Sequence, residues 1–381
     1  MDLRFARHIA EIQPFLAMEV MERAFAMERA GTRVLHLEIG EPDLPPPDAA
    51  IEACARALRK GETRYTDSRG LPELREAIAE DYGERSGVAV DADRVLVTSG
   101  TSPAMLLVFL LLVERGDEVI VPTPHYPCYP GFVQACGGRP VMVPTRAEEG
   151  YRIPVEAVRA AVGARTRAIV VGSPANPTGA VQDEETLSAL ANLGPPLVSD
   201  EIYDGLVYDG VRVTSAIRAT DGAFVLDGFS KRYAMTGFRL GHVIAPRSAV
   251  RTLQTLQQNL FISANRFVQH AGVAAIREGE PTVRAMREAY DRRRARMVNG
   301  LRRLGFGVPT MPVGAFYVFA DARAFDTDSR RLAFRILEEA HVAVTPGIDF
   351  GEAGEGWIRF SYTAPEETID EALERIGRVL G

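Results

Sequence analysis

Between about residues 90 and 245 one pattern recurs: a short β-branched run, a turn of glycine, proline or serine, and a stretch of helical periodicity. Such runs predict strands, here seven of them, at residues 94–98, 118–122, 140–144, 168–172, 196–199, 223–226 and 241–245. Helical patterns lie between several of the runs, as at residues 102–113 and 183–193. Strands that alternate with helices are typical of a mostly parallel sheet with helices on both faces.

The two ends of the chain predict a second unit. Residues 280–304 form a long amphipathic pattern, followed by a smaller α+β section with strands near residues 315–319 and 357–360. Residues 1–44 precede the alternating region, and we expect them to pack on this later section. The predicted protein is α/β, with a seven-stranded, mostly parallel sheet between helices in a large domain of residues 45–283. A smaller α+β domain is predicted from residues 1–44 and 284–381.

Composition excludes several classes of protein. The formal net charge of −7 gives no basic face for nucleic acid. The first residues lack the apolar run of a signal peptide, and the apolar run at residues 104–113 is too short for a bilayer. The three cysteines and six histidines have no metal-binding or disulfide spacing. We therefore expect a cytoplasmic protein without a metal, a membrane or a nucleic-acid partner.

Only two of the 44 basic residues are lysines, Lys60 and Lys231. An exposed charge accepts arginine readily, but a residue that must become a neutral amine does not, because guanidinium stays protonated. Lys60 lies in a polar context at a predicted helix end and is interpreted as a solvated charge. Lys231 lies between a β-rich run and a glycine turn, a position that favours a chemical role over that of a solvated charge.

Polar residues follow most of the predicted strands. In an open parallel sheet, ligands bind outside the carboxyl ends of the strands. Each of these residues also has an ordinary interpretation as a turn former, helix cap or surface charge. Together they offer phosphate donors, an aromatic face, an amide, a carboxylate, an amine and a guanidinium, a set that suits a phosphorylated aromatic aldehyde. The residues are Gly100, Thr101, Ser102, Tyr126, Asn176, Asp200, Tyr203, Ser230, Lys231 and Arg239.

Six segments carry a family resemblance: LEIGEPD (37–43), SGTS (99–102), SPANPTG (173–179), SDEIY (199–203), GFSKRYAMTGFRLGH (228–242) and IRFSYT (358–363). They closely resemble the class I and II aminotransferases, which are pyridoxal-phosphate (PLP) enzymes of fold type I. The resemblance runs from about residue 12 to the C-terminus in the family's order. It implies PLP as cofactor and a homodimer as the assembly.

The resemblance implies catalytic roles for three residues. Lys231 would hold the cofactor as a Schiff base and then move the proton between the substrate Cα and the cofactor. Asp200 would pair with the pyridinium nitrogen. Tyr203 would hydrogen-bond the ring's phenolic oxygen together with Asn176, and Tyr126 would stack on the ring.

The resemblance also implies two anion sites. Gly100, Thr101, Ser102, Ser230 and Arg239 would bind the phosphate. Some relatives offer a further serine at the position of Gly228, so this chain lacks that phosphate donor.

Arg359 would bind the substrate α-carboxylate through two parallel hydrogen bonds of its guanidinium. Asn176, Tyr126 and the backbone of Gly40 would complete this substrate site. Tyr65 resembles a tyrosine that reaches the phosphate of the neighbouring subunit, which would place the active site at a homodimer interface.

The implied activity is ping-pong transamination from an L-amino acid to a 2-oxo acid, with 2-oxoglutarate as the expected acceptor. The resemblance does not identify the amino-acid donor. Ser102 stands where some acid-selective relatives have a lysine, and Phe15, Leu16 and Phe261 are candidates for an apolar side pocket. A carbon–sulfur β-lyase or cyclopropane-forming synthase of the same fold would share these motifs. A PLP-dependent transcription regulator would need an added DNA-binding domain.

Overall fold

The computed structural model describes residues 7–381. In this range the α-helices are α1 Leu16–Arg29, α2 Asp48–Arg59, α3 Pro72–Ser86, α4 Thr101–Leu112, α5 Cys128–Ala135, α6 Val155–Ala161, α7 Glu184–Ala191, α8 Ala216–Ala219, α9 Arg247–Leu260, α10 Arg266–Glu278, α11 Glu280–Leu304, α12 Ser329–Arg335 and α13 Glu366–Leu380. The strands are β1 Leu35–His36, β2 Val95–Thr98, β3 Glu118–Thr123, β4 Arg139–Pro144, β5 Thr166–Gly172, β6 Leu197–Asp200, β7 Phe224–Gly228, β8 Gly241–Ile244, β9 Tyr317–Asp321, β10 Val342–Ala343, β11 Thr345–Pro346 and β12 Trp357–Ser361.

A seven-stranded sheet in the order β2-β8-β7-β6-β5-β3-β4 contains all seven strands predicted from the alternating region. Strand β8 runs antiparallel to both of its neighbours, and the other pairs are parallel. The sheet is therefore mostly parallel, as predicted. The observed strand ends differ from the predicted ones by at most two residues.

Helices cover both faces of this sheet. Ile120 of β3 belongs to a buried cluster with Leu74 of α3. Its neighbours Val119 and Val121 belong to a second cluster with Leu107 of α4. Successive side chains of a strand point to opposite faces, so the two clusters lie on opposite sides of the sheet. This double coverage explains why the strands read as continuous apolar runs.

The two ends of the chain come together in the smaller α+β section. Leu35 of β1 pairs with Val342 of β10 in a parallel bridge between the N-terminal segment and the C-terminal part. Strands β11, β12 and β9 form an antiparallel sheet, and helix α11 spans the predicted residues 280–304. We propose the division predicted above, with residues 45–283 as the large domain and residues 1–44 and 284–381 as the small one.

Within residues 7–381, no helix combines the length and the apolar character needed to cross a membrane.

Candidate active site

A cavity of about 260 Å³ opens at the carboxyl ends of the sheet strands. The segments that line it follow β2, β3, β5, β6 and β7, and the small section contributes β9 and β12. Eleven of the thirteen site residues predicted from the sequence line this one cavity: Gly40, Thr101, Ser102, Tyr126, Asn176, Asp200, Tyr203, Ser230, Lys231, Arg239 and Arg359.

Lys231 lies in the cavity with its Nζ donating a hydrogen bond to the backbone oxygen of Gly40 at 2.5 Å. Burial lowers the pKa of this amine to about 8, and the nearby Arg359 and Arg239 guanidinium groups act in the same direction. The carboxylate of Glu41 opposes them. A lysine with such a pKa is partly neutral near physiological pH, which is the form that attacks a carbonyl carbon.

Asp200 ends strand β6 and is buried. Its Oδ2 accepts a hydrogen bond from the Tyr129 hydroxyl at 2.8 Å, and its Oδ1 accepts one from the Ile202 N–H at 3.3 Å. Burial raises the pKa of this carboxyl, whereas both hydrogen bonds and the charge of Lys231 lower it. Asp200 makes no ion pair with any residue between 7 and 381, so its charge suits a cationic ligand group such as a protonated ring nitrogen.

One end of the cavity suits a phosphate. Helix α4 begins at Thr101, and its N-cap residue, Gly100, has no side chain that could cap the first N–H groups. Gly100 precedes it with φ of 99°, and a Cβ there would lie 2.6 Å from the Arg239 guanidinium. Arg239 also donates from Nη1 to the Thr236 backbone oxygen at 2.9 Å. Free helix N–H groups, a guanidinium and the hydroxyl of Ser230 are donors that bind phosphate oxygens well.

The guanidinium of Arg359, on β12, is buried but has no acidic partner in the described part of the chain. Its Nη1 donates to Asn176 Oδ1 at 3.0 Å, and its Nη2 donates to the Glu38 backbone oxygen at 2.5 Å and to Thr345 Oγ1 at 3.0 Å. Among these described residues, Nε has no hydrogen-bond partner. A buried cation without a counter-ion is costly, so this residue suits a carboxylate ligand.

Sequence reasoning missed two tyrosines of the site. Tyr317 of β9 shares a hydrogen bond of 2.9 Å with the Tyr203 hydroxyl, and the Arg359 guanidinium lies 4.3 Å from its ring centre. Its hydroxyl fills the space beside Gly40, where no Cβ would fit. Tyr129 donates a hydrogen bond to Asp200 and lies in α5, three residues after Tyr126, and this closeness in sequence could have revealed it.

The remaining predicted residues lie outside the cavity. Gly100 lies against the Arg239 guanidinium, and Tyr65 is 77% exposed at the surface of this chain. Of the three candidates for an apolar side pocket, Phe15 lines the cavity, whereas Leu16 and Phe261 do not. The Leu16 N–H instead donates to Asp349, and Phe261 follows the end of helix α9.

Residues 32–376 match the family Aminotransferase class I and II. A (5-formylfuran-3-yl)methyl phosphate transaminase of Methanocaldococcus jannaschii is 38% identical over 379 residues, which cover 98% of this chain and 99% of that protein. The chain belongs to the class I and II aminotransferases.

Other relatives agree with this assignment. The aspartate/prephenate aminotransferase of Thermus thermophilus is 39% identical over 383 residues, covering 99% of this chain and 98% of that protein. The structure of Thermus thermophilus aspartate aminotransferase with maleate superposes with a TM-score of 0.95 at 39% identity, covering 100% of both chains. The enzyme is an aminotransferase of PLP fold type I and depends on PLP. The names of these relatives differ in substrate, so they leave the amino donor of this aminotransferase open.

The cavity fits this cofactor. The uncapped start of α4 and Arg239 match its phosphate, Asp200 matches its ring nitrogen, and Lys231 is an amine that can lose its proton. These groups lie at the ends of different strands and meet only in the folded chain.

Proposed function

We propose that this aminotransferase moves the amino group of an L-amino acid to a 2-oxo acid in two half-reactions at the cavity described above, with 2-oxoglutarate as acceptor. The observation that carries the proposal is the meeting of Lys231, Asp200 and Arg359 in one cavity. Lys231 supplies an amine with a lowered pKa. Among residues 7–381, the Asp200 carboxylate has no cationic partner and the Arg359 guanidinium has no anionic one.

Each side chain has a defined task in this proposal. Bound PLP supplies an electron-withdrawing ring that stabilises negative charge at the substrate Cα. Lys231 would hold the cofactor, and as a free amine its Nζ would take the proton from the substrate Cα. Asp200, which accepts a hydrogen bond from Tyr129, would be the partner of the protonated ring nitrogen. Arg359 and Asn176 orient the α-carboxylate, so that the Cα–H bond faces Lys231.

The other predicted residues surround the cofactor. Tyr126 would stack on the ring, and Tyr203, in hydrogen-bond contact with Tyr317, would donate to the phenolic oxygen together with Asn176. The start of α4, from Gly100 to Ser102, would hold the phosphate together with Ser230 and Arg239. The backbone of Gly40 lines the carboxylate end.

The proposal also covers the assembly. Tyr65 is a large aromatic side chain that is 77% exposed, and we infer that it reaches the phosphate of a second copy in a homodimer. Each dimer would then hold two shared active sites. We further propose that the enzyme works in the cytoplasm on free amino acids and 2-oxo acids.

The two lysines provide the test. Purified enzyme is given PLP, an amino acid panel and 2-oxoglutarate, and glutamate formation is measured together with visible absorbance. We expect Lys231→Ala to abolish both the covalent absorbance band and glutamate formation. Lys60→Ala, at the exposed end of α2, should keep both.

Two results would contradict the proposal. One is a wild-type enzyme that releases ammonia and pyruvate without forming glutamate, which would indicate a lyase. The other is a Lys231→Ala protein that transfers amino groups at the wild-type rate.

A further inference from the structure

Six apolar side chains of the cavity lining are called the apolar wall. It is made of side chains from the start of α1, from the segment after β1, and from α4 and α5: Phe15, Met18, Met21, Ile39, Met105 and Phe132. The wall begins beside Tyr126, whose ring centre lies 6.2 Å from that of Phe15. Methionine side chains are flexible and adapt to apolar groups of different sizes.

Helix α1 is fixed over the cavity by a carboxylate. Asp349 accepts hydrogen bonds from the Leu16 N–H at 2.8 Å and from the Ala17 N–H at 3.1 Å, which are donors at the start of the helix. This attachment holds Met18 and Met21 at the cavity. The apolar wall is therefore a built part of the site.

The charges of the cavity do not favour an acidic side chain. In the described part of the chain, three cationic residues line it, and each has another task in the proposed function: Lys231, Arg239 and Arg359. Glu38 lies in the same lining and is buried, with Oε2 unpartnered among the described residues and Oε1 paired with His36 Nδ1 at 2.8 Å. A carboxylate placed among these apolar groups would lose water without gaining a cation from the described residues of its own chain.

We propose that the donors are neutral amino acids with apolar side chains, which pack on Phe15, Met18 and Met21, and that aspartate and glutamate are poor donors. The inference rests on the proposed function, because Arg359 must take the α-carboxylate and Lys231 must face Cα. The donor side chain is then left with the part of the cavity that α1 covers.

The test is the first half-reaction alone, with PLP-loaded enzyme, one donor at a time and no 2-oxo acid, followed by absorbance. Leucine, methionine and phenylalanine should react with a second-order rate constant at least about tenfold above those of aspartate and glutamate, the scale on which apolar pockets discriminate. Aspartate or glutamate reacting as fast as leucine would overturn the inference.

Single substitutions test whether the apolar wall causes this donor preference. Met21→Ala should slow leucine and phenylalanine by about tenfold while alanine reacts unchanged, because a methyl side chain does not reach α1. Met21→Arg should raise aspartate relative to leucine. Met142→Ala, on the exposed edge strand β4, is the matched control and should leave all donors unchanged. Equal slowing of alanine and leucine in Met21→Ala would overturn the assignment to this wall.

The two proposals fail differently. If no donor changes the absorbance of the PLP-loaded enzyme, the proposed function is wrong. If donors react but acidic ones are fastest, only the inference about the donor is wrong.

Discussion

Lys60 and Lys231 carry the same chemical group in opposite surroundings. Lys60 is exposed after the last turn of α2, where an ammonium ion is fully hydrated. Lys231 lies among Arg239, Arg359 and the backbone of Gly40, and its pKa is lowered to about 8. In a chain with 42 arginines, the requirement for a deprotonated amine explains why a lysine is kept here.

This lowered pKa predicts how fast the enzyme takes up its cofactor. Only the neutral amine attacks the aldehyde, so the rate of covalent attachment of PLP to cofactor-free enzyme should rise with pH and reach half its maximum near pH 8. Below that pH the rate should fall by about tenfold per pH unit. Stopped-flow absorbance from pH 6 to pH 10 measures it.

Nα-acetyl-lysine in solution is the reference for the same reaction. Its rate should reach half of the maximum near the side-chain pKa of about 10.4. An enzyme profile that coincides with this reference would show that the folded cavity does not lower the pKa of Lys231.

At the scale of elements, the turn between β2 and α4 brings the start of a helix to the phosphate end of the cavity. Gly100 makes this possible in two ways. Its φ of 99° is unfavourable for other residues, and the Arg239 guanidinium occupies the place of a side chain. The helix N–H groups and the guanidinium therefore approach each other closely.

Gly100→Ala should weaken PLP binding. The added methyl group must displace the Arg239 guanidinium from the phosphate end of the cavity, so we expect the Kd for PLP to rise at least about tenfold. Fluorescence titration of cofactor-free enzyme with PLP measures the change.

Gly163→Ala is the matched control, because nothing lies within 4 Å of a Cβ at that position. Its Kd for PLP should stay at the wild-type value. Equal affinities in all three proteins would contradict the role given to the Gly100 turn.

The elements also show what the sequence could predict. Strands buried on both faces gave long β-branched runs, so all seven strands of the main sheet were found from their pattern. Strands β1, β10 and β11 have two residues each, too few to produce a period. Tyr317 was missed for a different reason: it reads as one more aromatic in a core strand, and only the packing of the small section on the large one brings it to Tyr203.

At the scale of the whole molecule, buried acidic residues also lie next to the strands of the main sheet that carry site residues. Glu201 follows Asp200, and its Oε1 accepts hydrogen bonds from Ser199 Oγ at 2.9 Å, Ser215 Oγ at 3.1 Å and the Ala216 N–H at 2.9 Å. Burial nevertheless raises its pKa to about 7, and the neighbouring carboxyl of Asp227 acts in the same direction. Between pH 4.5 and pH 7 the folded chain therefore keeps a proton on Glu201 that the unfolded chain has largely released.

Global stability should depend on this proton. The pKa of Glu201 is about 7 in the folded state and 4.5 as its ordinary value. The protonated Glu201 side chain thus contributes its full stabilisation below pH 4.5, and this contribution is lost as the pH rises through 7. A shift of this size corresponds to about 3 kcal/mol of unfolding free energy. Glu201→Gln is always neutral and should lack this loss.

Urea titrations of the PLP-loaded enzyme at pH 5 and pH 8 measure the effect. Between these values the unfolding free energy of the wild type should fall by about 2–3 kcal/mol more than that of Glu201→Gln. Glu185→Gln removes a carboxyl that is 86% exposed and should follow the wild type. Because all three proteins share every other titrating group, a parallel course of wild type and Glu201→Gln would mean that Glu201 is ionised in the fold at pH 5, with its charge carried by the hydroxyl and N–H donors around it.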